Sequence, residues 1–454
     1  GIALAYSADG ADPVGCEQYT DDGPTVRVFR GEKKMLFDNF VAAETALLWG
    51  AFLIALVMGA VVNKTNFCTM GAVSDLVNMG DTGRIRAWLF AIAVAVLGVA
   101  ILEYAGLVEA STTFPPYRAG NLVWAENILG GLMFGVGMTL ASGCGNKTLI
   151  RIGGGNLKSV VVFAIIALIA YFMVNPFPGS DQTLMSVLFY DWIRPMSADL
   201  GESQDLGYLI AGEAAAGGRL VIGVALGLIL VAFALRSADF RGNRDNILGG
   251  LVVGLAVLGA WYLSSAAGVE TDDGIMSLPG YYEEWDMLAD SDEGRPAQGR
   301  PLAAQSYTFI NPMGQTLGFA AAGFQRALLT FGVVAVLGVV LGSLLWALIS
   351  RSFRIEWFGS LRDALNHIVG AVLMGFGGTL AMGCTVGQAI TGVSTLAVGS
   401  MLTFGAIFLG SALTMKVQYY KMVYEDEASL GKALITGLVD LHLLPERLRK
   451  LEAV

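Results

Sequence analysis

Nine stretches of this chain stay apolar for about the 20 residues that a membrane-crossing helix requires. They fall at 44–62, 86–107, 121–143, 158–174, 218–235, 246–264, 327–350, 367–383 and 395–416. Runs such as FLIALVMGAVV (52–62) and VVVFAIIALIAYFMV (160–174) are continuous, without the period-two alternation of a barrel strand. The pattern predicts an all-α polytopic membrane protein embedded in a lipid bilayer, with about nine transmembrane helices. Composition agrees: 55% of the 454 residues are hydrophobic and 15% charged, against roughly 25% charged in a soluble domain. Among the 59 glycines, Gly131/Gly135 and Gly250/Gly254 have the spacing that lets helices approach closely in lipid. A net charge of −10 without a long basic run speaks against a nucleic-acid surface. Four cysteines with no CxxC or HExxH spacing suggest neither a disulfide scaffold nor a metal site, and no cofactor motif is present.

Loop charge sets the expected orientation, because basic residues near span ends stay cytoplasmic. Arg236, Arg241 and Arg244 lie between spans five and six, and Arg351, Arg354 and Arg362 between seven and eight. The connections 175–217 and 265–326 are acidic and fall outside, so the N-terminal tail is outside and the C-terminus inside. Arg27, Arg30, Lys33 and Lys34 before span one run against that order. Residue 1 is glycine, which leaves a cleaved signal or an upstream helix open. The expected organisation is a polar tail (1–43), a first transmembrane repeat (44–174), an acidic loop with a linker span (175–245), a second repeat (246–416) and an amphipathic cytoplasmic tail (417–454).

The repeat is visible directly. ILGGLMFGVGMTLASGC (128–144) aligns without a gap to IVGAVLMGFGGTLAMGC (368–384), with nine of 17 positions identical. Spans one and six share a weaker likeness, Gly50/Gly250 and Gly59/Gly259. A step of five crossings reverses direction, so the halves should be inverted-topology repeats, a plan that places a site near the bilayer midplane.

Three cysteines stand at span ends beside small residues: Cys68 in NKTNFCTMGAVSD (63–75), Cys144 in LASGCGNKTLIRIGGGNLKS (140–159) and Cys384 in LAMGCTVGQAITGVS (380–394). The segments that follow suit short re-entrant or broken helices, which at membrane depth must be buried or line a cavity. The cysteines are therefore expected at a central constriction, although a buried cysteine also serves as a small hydrophobe. Gly153, Gly154 and Gly155 open span four, and a glycine-rich helix start presents N–H groups suited to an anion. Lys64, Lys147, Asn146 and Gln388 are further anion-attracting candidates, with Arg151 and Lys158 nearby. Lysine and arginine at span ends also snorkel to headgroups. Glu103, Glu126 with Asn127, His367 and His442 are weaker candidates, and Cys16 has no repeat partner. GGGN is not followed by GK[ST], which speaks against a nucleotide site.

These three motifs together resemble those of the YeeE/YedE family of inner-membrane sulfur-compound transporters, in particular its thiosulfate-uptake members, over most of residues 44–416. The resemblance implies location in the bacterial inner membrane and passage of thiosulfate along Cys68, Cys144 and Cys384, without enzymatic chemistry. A thiol is a soft, weak donor that can hold the terminal sulfur of thiosulfate and let it go. The long acidic insertions and both tails exceed a minimal member, and a soluble cytoplasmic sulfur carrier is a candidate partner. A membrane sulfurtransferase forming a cysteine persulfide and a structural subunit of a membrane complex are the competing readings.

Overall fold

The computed structural model describes residues 35–37, 39–271, 274–283 and 303–452. Cys16 and the four basic residues of the N-terminal tail lie outside them. All nine apolar stretches fold as helices: α1 Phe40–Thr65, α3 Gly83–Tyr104, α4 Trp124–Leu140, α6 Leu157–Val174, α7 Ala215–Leu235, α8 Arg244–Ala266, α10 Phe331–Ile349, α11 Leu361–Leu380 and α12 Val398–Val423. Shorter helices stand between them: α2 Thr69–Ser74, α5 Gly145–Gly153, α9 Ile310–Ala321 and, in the tail, α13 Leu430–Asp440.

Among the described residues, eight crossings, some of them made of two adjoining helical pieces, are long and apolar enough to span a membrane. α11 is the exception. Its 20 residues rise about 30 Å, but Arg362, Asp363, Asn366 and His367 in its first turns lower its apolarity. Two small sheets cap the end away from the basic loops. One joins Met35–Phe37 to Ala267–Thr271 and Gly274–Ser277, and the other pairs Ala119–Leu122 with Ala198–Ser203. The 236–244 and 350–362 loops make one end of the bundle basic, the end that the positive-inside rule assigns to the cytoplasm.

The inverted repeat is recorded atom by atom where α4 meets α11. A Cβ on Gly130 would touch the Ala381 nitrogen and the Gly377 carbonyl at 2.7 Å each. Its counterpart Gly370 meets the Ala141 nitrogen and the Gly137 carbonyl at 2.6 Å. Likewise Gly137 abuts the Gly370 carbonyl and the Met374 nitrogen, while Gly377 abuts the Gly130 carbonyl and the Phe134 nitrogen. Every contact maps onto another when residue numbers are exchanged by the repeat offset. The two helices cross antiparallel about a local two-fold, and only glycine permits backbones this close. The same exchange relates α1 packed on α10 to α8 packed on α3, and α4 on α12 to α11 on α6.

The glycine register between spans one and six does not carry over. Gly59 lies against the Val339 backbone, whereas Gly259 has only Ile54 nearby at 3.4 Å. The positions facing α3 are instead Gly250 and Gly254, against the carbonyls of Ala87 and Ala91.

Candidate functional site

Each of the three cysteines is reached through the same backbone device. A long helix ends, a residue two positions before the cysteine turns left-handed, and the cysteine leads into a short helix. The left-handed residues are Asn66 (φ 50), Ser142 (φ 58) and Met382 (φ 56). Gly143 N–H then bonds the Met138 carbonyl, and Gly383 N–H the Gly378 carbonyl, both at 2.8 Å, the six-to-one closure of a helix C-terminus. Cys68 caps α2 and Cys144 caps α5, both extended. Cys384 precedes a π-helical segment, Val386–Gly392. Their carbonyls restart the chain as helix, accepting from the amides of Ala72, Thr148 and Gln388. Thus the N-termini of three short helices, whose first N–H groups have no intrahelical partner, lie at the cysteines.

All three are free, buried thiols. Cys144 lies near both Cys68 and Cys384, with the Thr385 hydroxyl and the Lys147 amide beside its sulfur. Cys384 has the amides of Gly387, Val386 and Phe309 and the Thr308 side chain around it. Several polar atoms here are buried and find no hydrogen-bond partner among the described residues: the hydroxyls of Thr69, Thr308 and Thr385, Asn146 Oδ1 and Gln388 Oε1. Buried polar groups in proteins are almost always paired; the other such atoms among the described residues are Trp88 Nε1, Tyr117 OH, Glu126 Oε1 and Thr403 Oγ1. Five of these atoms thus belong to the segments around the cysteines.

On the basic side the cluster adjoins a cavity of about 450 Å³ lined by Asn66, Ser142, Lys147, Arg151, Gly154, Lys158, Arg354, Asp363 and His367, among others. Lys147 Nζ donates to Asn66 Oδ1. On the opposite side a recess of about 20 Å³ is lined by uncharged residues, including Thr308, Asn311 and Gln315. Thr308 touches both this recess and the Cys384 surroundings, and Lys147 both the cavity and Cys144.

Other expected residues fall elsewhere. Lys64 is outside the cavity, 4.0 Å from Asp245 and over the Trp346 ring. Gly153 and Gly155 are packing positions, against the carbonyls of Val340 and Arg354. The start of α6 is not open to an anion: Leu157 N–H bonds the Glu356 carbonyl and Ser159 N–H the Asn156 side chain. The helix N-termini one break earlier instead turn the Lys147, Val386 and Gly387 amides toward the cysteine sulfurs. Glu103 is held by Arg118, and Glu126 lies 3.4 Å from Arg194. His367 bonds the Asp363 carbonyl. Thr308 and Arg354 were not among the sequence candidates. Arg354 was visible only as loop charge, and Thr308 lies in a segment that composition joins to an external loop.

Two inverted halves with broken helices meeting at buried polar groups define a polytopic membrane protein of the transporter type. The family model described as Sulphur transport matches residues 64–413, and the chain belongs to that family. It is similar to the thiosulfate transporter TsuA of Escherichia coli, 25% identical over 363 residues, which cover 76% of this chain and 87% of the relative. TsuA of Spirochaeta thermophila is 22% identical over 382 residues, 80% of this chain and 97% of that one.

Proposed function

We propose that this chain carries thiosulfate, or a closely related sulfur-containing anion, across the bacterial inner membrane along a path lined by Cys68, Cys144 and Cys384. The observation that carries this reading is the convergence of the three thiols with the Thr69 and Thr385 hydroxyls, Asn146 Oδ1 and Gln388 Oε1, unpartnered among the described residues. The relatives' names supply the substrate class. The ion leaves the uncharged recess past Thr308, meets Cys384, then Cys144, and reaches the basic cavity by Cys68 and Lys147. Thiols and neutral amides hold a soft anion weakly, which conduction needs. No covalent step is required, so the cysteines stay reduced and the protein is not an enzyme. In the cytoplasm a soluble sulfur carrier is the expected recipient.

Uptake of sulfur-labelled thiosulfate into proteoliposomes tests this. Wild-type uptake should resist excess sulfate outside, and Cys144→Ala and Cys384→Ala should each lower it at least about tenfold while remaining monodisperse. Undiminished uptake in folded Cys68→Ala, Cys144→Ala and Cys384→Ala variants would remove the cysteines from the path.

A further inference from the structure

The basic cavity has more charge than its own contacts use. Lys158 is paired with Asp363 at 2.8 Å, and Glu356 bonds the Asn156 amide at 2.6 Å. Arg151 and Arg354 also line the cavity, and neither has a carboxylate partner among the described residues. Lys147 contributes a third cation whose only hydrogen bond among those residues is to a neutral amide. The volume of about 450 Å³ equals about fifteen water volumes of about 30 Å³. An anion can therefore enter without shedding all of its hydration, and be held by charge more than by shape. Oxyanions carrying two charges gain most from guanidinium groups, which match their oxygens in a fixed fork, and two line this cavity. Nothing in such a site distinguishes thiosulfate from sulfate, because the thiols lie beyond it.

We propose that this cavity, where the path opens at the basic end, is a second anion site that takes a divalent tetrahedral oxyanion from the cytoplasmic side, so that sulfate accumulated inside occupies it and slows further entry of substrate. The inhibitory consequence rests on the thiosulfate-path reading; the binding site itself does not. Selection and inhibition then lie in different places. Outside sulfate meets an uncharged recess and has little effect, whereas inside sulfate meets Arg151 and Arg354 directly.

The test uses two readouts on the full chain. In the first, thermal unfolding of the detergent-purified protein is followed with sodium sulfate against sodium chloride at matched ionic strength, which removes general screening. Sulfate should raise the midpoint of the wild type and of an Arg151→Lys/Arg354→Lys variant clearly more than that of Arg151→Gln/Arg354→Gln, whose small rise measures the general kosmotropic effect of sulfate. In the second, sulfate is placed on one side of vesicles of determined orientation during thiosulfate uptake. Sulfate facing the basic end should slow the wild type several-fold and the glutamine variant much less. Equal effects of sulfate and chloride on unfolding, or of sulfate in both variants, would overturn the site. Stabilisation by sulfate with undiminished uptake would overturn the inhibition alone, and absence of any thiosulfate uptake would count against the path reading while the unfolding result still decides the cavity.

Discussion

The two breaks that carry Cys144 and Cys384 are the same backbone with different chemistry. Both follow a left-handed residue two positions earlier, at Ser142 and Met382. Each rejoins a crossing helix after a second positive-φ residue, Gly155 or Leu396. Those second residues are one position further apart than the cysteines, so the second half holds an extra residue, absorbed as the π-helical Val386–Gly392 where the first half has regular α5. Where α5 has Lys147 and Arg151, the gapless alignment extended past the cysteines reaches Gly387 and Thr391. Duplication preserved the turn that aims helix N-termini at the thiols and let charge diverge. The divergence has a direction. An inside-negative potential opposes anion entry by about 2.3 kcal/mol per charge per 100 mV, and if the basic end faces inside, as the positive-inside rule expects, the cations stand where that opposition is greatest.

The breaks are also fastened differently. Near Leu396, buried Asp205 takes two hydrogen bonds from Arg219 at 3.0 and 2.8 Å. Arg118 bridges Glu103 to the Thr395 carbonyl. Near Gly155 the strap is a backbone pairing with 354–356 and an exposed Asn156–Glu356 bond. Asp205→Asn should therefore destabilise the protein by about 3–5 kcal/mol, the cost of breaking a buried pair, while Glu356→Gln should cost no more than about 1 kcal/mol. Chemical unfolding in detergent compares them; equal losses would mean that the buried charges do not fasten the second half. Burial alone would raise the Asp205 carboxyl, but Arg219, Ser203, Arg118 and the Tyr208 amide hold it down at about 2, below its ordinary 3.8. A depressed carboxylate stabilises the fold above its unfolded value and loses that contribution as pH falls through the folded one. Wild-type stability should thus drop between about pH 4 and pH 2, on the order of 2 kcal/mol, and this step should be absent in Asp205→Asn.

Where the halves are equal, substitutions should be equal too. Gly130→Ala and Gly370→Ala each place a methyl about 2.7 or 2.6 Å from backbone atoms of the facing helix. Overpacking of that kind costs about 1–3 kcal/mol, and unfolding of the two variants should give losses matching within about 0.5 kcal/mol. A large inequality would show that the local two-fold does not describe the energetics.

What the sequence disclosed follows the length scale of its signals. The crossing helices, the repeat around Gly130 and Gly370 and the three cysteine positions were legible because they rest on long apolar runs or on a gapless likeness. The fate of Gly153–Gly155 was not, because whether a glycine start meets an ion or a neighbouring strap depends on the 354–356 segment, about 200 residues away. Thr308 escaped for the same reason: its place beside Cys384 is set by tertiary packing, with no periodicity to betray it. The left-handed position two residues before each cysteine holds Asn, Ser and Met, three types without a common propensity, so only geometry reveals it.

Lys64 gives the smallest expected effect and the cleanest control on what charge at the basic end does. It was expected to assist the anion, yet it sits beyond the cavity wall, half-exposed and 4.0 Å from an exposed Asp245. At that exposure a pair contributes between about 0 and 1 kcal/mol, and beyond a Debye length of about 8–10 Å its field is screened. Lys64→Gln should leave thiosulfate uptake within about twofold of wild type and shift unfolding by less than about 0.5 kcal/mol, whereas neutralising Arg151 and Arg354 changes the response to inside sulfate. If Lys64→Gln altered that response as strongly as the arginine pair does, the basic end would be acting as a diffuse positive surface, and the cavity would lose its standing as a defined site.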